Sequence, residues 1–68
     1  MTDKPYTVTD EARRNILANK ITVWQNTAYD AELDAKVARA LEDTDGEAQA
    51  KARLKKCLQA IETLQAEA

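Results

Sequence analysis

The chain has no histidine, no serine and no phenylalanine, and only one residue each of cysteine, glycine, proline and tryptophan. Without serine or histidine, the familiar Ser-His and Cys-His nucleophile pairs cannot be assembled. Lack of histidine also removes the usual zinc sets. A single thiol, Cys57, excludes an intrachain disulfide. No apolar run reaches the length of a membrane span or a signal-peptide core, and the opening MTDKPYTV is polar. These absences lead to the expectation of a non-catalytic protein without cofactor, metal or membrane contact, in a reducing, cytoplasmic setting.

Scarcity of glycine and proline, beside abundant Ala, Glu, Lys, Arg and Leu, predicts an all-α protein with no sheet. With 68 residues the chain forms at most one domain, and much of its 44% hydrophobic content is alanine, which buries little area. Chains of this size usually need a disulfide, a metal or a partner subunit. With the first two excluded, oligomerisation is the remaining stabiliser. The net charge of −2, with both signs interspersed, is not that of a chain built to coat nucleic acid or an anionic membrane.

Residues 1–8 read as an extended tail, because Pro5 disfavours helical geometry at Lys4, and residues 9–68 as a single helical domain. Thr9, followed by Asp10 and Glu11, predicts a helix start, with Thr7 and Asp10 as an alternative capping box. From there nothing forces a stop, so a long first helix over about residues 9–42 is expected. Its weak point is Gln25, Asn26 and Thr27, where a break would give an alternative fold of three short helices. The segment EDTDGE, residues 42–47, holds the only glycine and predicts the turn. Thr44 and Glu47 have capping-box spacing for a second helix over about residues 45–67. Two helices joined so tightly form an antiparallel hairpin. Glu32 with Lys36, and Glu47 with Lys51, are set for i,i+4 ion pairs.

One heptad seam of the first helix runs Leu17, Ile21, Trp24, Ala28, Ala31, Ala35, Ala38. The second helix carries Ala50, Leu54, Cys57, Ile61, Leu64, Ala68 at the same alternating steps. Pairing residues whose numbers sum to about 88 or 89 sets Ala38 by Ala50, Ala31 by Cys57, Ala28 by Ile61 and Trp24 by Leu64. Nearly every layer then joins a large side chain to a small one. In this reading Trp24 is a core anchor and Cys57 a buried, unreactive thiol. A shifted register, Leu33 by Leu58 and Val37 by Leu54, is the alternative.

A second stripe on the first helix runs Ala12, Ile16, Asn19, Val23, Asn26, Asp30, Leu33, Val37, Ala40, with Leu41 beside its end. The hairpin leaves this row bare, so Ile16, Val23, Asn26, Leu33, Val37 and Leu41 are the expected partner-binding residues. Self-association to a dimeric four-helix bundle is the first expectation, with the asparagines setting register. A monomer bent at Asn26 and a heterologous protein partner are the alternatives. Small hairpins of this kind serve as adaptors, assembly factors or regulators, for example in bacteria and phages, an analogy from fold.

Two further signals are weaker. In KARLKK, Lys51, Arg53, Lys55 and Lys56 form the alternative site, for nucleic acid, but they spread around the helix without an aromatic platform. The turn DTDG resembles part of a calcium loop, yet that alignment puts Leu41 and Ala52 at ligand positions. Asp30 and Asp34 lie on a solvated face that offers no desolvated cleft for acid-base work.

Overall fold

The computed structural model describes residues 6–68. Residues 1–5, most of the expected tail, lie outside the described residues. Two helices pack against each other, α1 over Asp10–Ala40 and α2 over Thr44–Gln65. Among the described residues there is no strand, and no helix is long and apolar enough to cross a membrane.

α1 begins where the sequence predicts. Thr9 is extended, and its hydroxyl accepts from the Ala12 N–H at 3.1 Å, with Asp10 and Glu11 in the positive first turn. The helix then passes through Asn26 without interruption, so the three-helix alternative is not the fold. The Thr27 hydroxyl, which a new helix start would need as a cap, bonds back to the Val23 carbonyl at 2.9 Å within the same helix.

The turn is tighter than expected and uses different residues. Leu41 ends α1, and Glu42 takes a left-handed conformation with φ 59°. Glu42 N–H donates to the Arg39 carbonyl at 3.1 Å, and Asp43 N–H to the Ala38 carbonyl at 2.8 Å. These two bonds make a Schellman closure, a motif that usually places glycine at the left-handed position. Asp43 then caps α2, its Oδ1 accepting from Gly46 N–H at 3.0 Å. The expected Thr44 cap is therefore corrected. Thr44 is the first helical residue, because Asp43 already fills the cap with a charged acceptor. Gly46 is likewise not in the turn but within the first turn of α2, with negative φ.

The buried residues are Ala28, Ala31, Ala35 and Ala38 on α1 with Ala50 and Cys57 on α2. All six belong to the alanine seam. Leu17, Ile21, Leu54, Ile61 and Leu64 are half-buried around it. One concavity is lined by both Ala38 and Ala50, and another by both Ile21 and Ala68, in line with that pairing. Leu33, Val37 and Leu58 are exposed, so the shifted register is not adopted.

α1 has 31 residues and α2 has 22, lengths of roughly 46 and 33 Å at 1.5 Å per residue. In the seam register α2 ends beside Trp24, so the first turns of α1 extend past it. A second correction concerns Trp24, which is 38% exposed and not a fully enclosed anchor. Leu17 and Ile21 are half-buried there, beside an open groove of about 460 Å³ that also includes Ala68.

Candidate interaction surface

Because α1 is continuous, its second stripe cannot fold back on itself. Ile16, Val23, Leu33, Val37 and Leu41 are all exposed, from 40% at Leu33 to 74% at Leu41, and Asn19 and Asn26 are exposed among them. At about 100° per residue, the centre of this stripe lies roughly 150° around α1 from the alanine seam. It is therefore centred on the side away from α2, although Arg53 reaches Asp30 and both Val37 and Leu41 border a concavity near the turn. Tyr29 is exposed on its flank.

A charged clamp crosses from α2 to the edge of the stripe. The Arg53 guanidinium donates to Asp34 Oδ2 at 2.5 Å and lies 3.4 Å from Asp30 Oδ2. Asp30 and Asp34 are one helical turn apart, so one cation spans both. Their placement on a solvated face was legible in the sequence, but the tie to Arg53 was not, since it joins residues distant along the chain. The hydrogen bond to Asp34 raises the Arg53 pKa, against an opposing effect of desolvation. The Asp30 side chain remains 72% exposed, with acceptor capacity facing outward.

The basic segment changes character in the fold. Lys51 pairs with Glu47 at 3.2 Å, and Arg53 is held by Asp30 and Asp34. Of its four cations only Lys55 and Lys56 have no ion pair among the described residues. Two of the charges that would meet phosphates are thus already balanced by the protein's own carboxylates. Lys36 lies 3.8 Å from Glu32, the other expected helical pair.

Among the described residues no group of His, Cys, Asp or Glu is arranged to hold a metal ion. An open concavity of about 510 Å³ near the turn brings Val37 and Leu41 together with Asp43, Gln49 and Arg53. Cys57 is 1% exposed and reduced, on the seam where the sequence puts it. Leu58, which the shifted register would set by Leu33, is instead exposed on α2 away from the seam.

The chain matches no protein-family model, no curated protein and no solved structure.

Proposed function

We propose that this protein is a non-catalytic helical interaction module that self-associates through the outward face of α1. The dimer is its working unit as an adaptor, assembly factor or regulator in the cytoplasm. The observation that carries this reading is the row of Ile16, Val23, Leu33, Val37 and Leu41, left bare along an unbroken helix. Among the described residues the hairpin fully buries only alanines and one cysteine, with Leu17, Ile21, Leu54, Ile61 and Leu64 half-buried, which leaves a small chain short of core.

Surface area supports the same reading. A compact monomer of 7.6 kDa exposes roughly 4,300 Å² by the usual scaling, whereas this chain exposes 5789 Å². An interface of standard size takes ~800 Å² from each partner, well within the exposed surface of this chain. The radius of gyration, 16.3 Å, is likewise well above the ~11 Å of a compact domain of this length.

Sedimentation equilibrium across a wide concentration range, on wild type and Val23→Asp together, tests the proposal. A wild-type dimer and a variant whose association is at least about tenfold weaker is the expected result, since the variant buries an unpaired charge at the contact. A folded wild-type monomer at all concentrations would overturn it. Loss of helix in the variant is not expected, because Val23 touches solvent in the hairpin.

A further inference from the structure

We infer that two copies of this chain join with their α1 helices antiparallel, about a two-fold axis that crosses the stripe between Asn26 and Asp30, and that these two residues set this orientation. The inference rests on the self-association proposed above and adds its geometry. The stripe has two alternating sets of positions. Ile16, Val23, Asp30 and Val37 form one, and Asn19, Asn26, Leu33 and Ala40 the other. In an antiparallel coiled coil each member of one set faces a member of the other.

With the axis between Asn26 and Asp30 the stripe from Ile16 to Ala40 becomes self-complementary. Ile16 meets Ala40 of the second copy with Leu41 beside it, Asn19 meets Val37, Val23 meets Leu33, and Asn26 meets Asp30. Each layer then occurs twice, as an isologous contact requires. At the centre, the Asn26 side-chain amide donates to the Asp30 carboxylate of the second copy. Asp30 can accept, because Arg53 approaches only one of its oxygens, at 3.4 Å, and the side chain is 72% exposed. Arg53 also supplies the positive charge that stabilises two carboxylates near the axis.

Flanking positions agree. In the antiparallel arrangement Lys20, which has no ion pair among the described residues, lies beside Asp34 of the second copy, and the reverse contact repeats it. Tyr29 meets Tyr29 across the axis. A parallel pair in register would instead set Asp30 against Asp30 and leave Lys20 without an acid, so repulsion disfavours it. Because the stripe is centred away from α2, with Arg53 reaching round to Asp30, the four helices lie in the order α2, α1, α1, α2 across the assembly. The overhanging first turns of one α1 lie along the turn end of the other, so Ile16 reaches Leu41.

The test uses full-length chains carrying Cys57→Ala, with either Val23→Cys or Leu33→Cys, both at exposed positions. Helicity is checked by circular dichroism and dimer mass by sedimentation under reducing conditions. Oxidised glutathione then serves as electron acceptor for disulfide formation. An equimolar mixture is expected to give at least tenfold more cross-linked dimer than either variant alone, since residue 23 faces residue 33 only in the antiparallel pair. Efficient cross-linking of each variant to itself would overturn the orientation in favour of a parallel pair. A sedimenting dimer with no cross-link in any sample would overturn the face. A monomer by sedimentation would instead remove self-association itself, the reading beneath this one.

Discussion

Arg53 on α2 holds Asp34 on α1 across the hairpin at 2.5 Å, with Asp30 one turn away at 3.4 Å. This is the only ion pairing between the two helices among the described residues. Its atoms are accessible to solvent, so salt screens it. Arg53→Ala is expected to lower the melting temperature slightly in dilute buffer, with the difference shrinking in 1 M salt. A difference that salt leaves unchanged would assign the effect to packing of the arginine methylenes instead.

The same contact fixes a sign for pH dependence. Hydrogen bonding to Asp34 raises the Arg53 pKa in the folded state. A base with a raised folded pKa stabilises fully below its unfolded pKa, and that stabilisation is lost as pH rises through the folded value. For a guanidinium both values lie at the alkaline extreme. The difference between wild type and Arg53→Ala should therefore stay flat between about pH 6 and 9, read by thermal melts at fixed protein concentration. A slope in that window would show a titrating partner other than Arg53.

Glu42 occupies a position that favours glycine. Its φ of 59° costs a residue with a Cβ about 1 kcal/mol or more. Glu42→Gly keeps both Schellman bonds, which are made by the backbone. It is expected to stabilise by about 0.5–1 kcal/mol, the gain being limited by the larger freedom of glycine in the unfolded chain. Chemical denaturation that shows a loss of stability would mean that the Glu42 side chain contributes to the turn.

Gly46 and Asp43 are coupled. A Cβ on Gly46 would meet the Asp43 carboxylate, with its carbon at 2.8 Å, so Gly46→Ala must turn the cap aside. Loss of a cap costs about 1 kcal/mol, and alanine in place of a helical glycine returns a similar amount. The single substitution should be nearly neutral, yet stabilising by about 1 kcal/mol in an Asp43→Ala background, where no cap remains to lose. Additive effects in the double-mutant cycle would show that the cap adapts.

Ala31 is fully buried, and the seam register sets it by Cys57. Ala31→Leu should destabilise by about 1–3 kcal/mol, since the helices must part to admit it. Adding Cys57→Ala should recover part of that loss by making room. If the double variant is no more stable than Ala31→Leu alone, these two residues do not share a layer.

The sequence by itself determined the fold class, the alanine seam and the second stripe. Each depends on local composition or on helical spacing, and both can be read along the chain. It offered two registers and two helix starts, and the exposure of Leu33, Val37 and Leu58 with the Thr9 cap decided between them. Tertiary structure decided what depends on residues meeting in space. Sequence alone left open whether α1 bends at Asn26, since an asparagine can end a helix or ride within one. Once continuous, α1 leaves its stripe exposed along its whole length. The glycine signal misled because Gly46 admits the Asp43 cap inside α2, while the left-handed turn falls to Glu42. Only the antiparallel packing could join Arg53 to Asp30 and Asp34, and only the fold shows that Trp24 is partly uncovered.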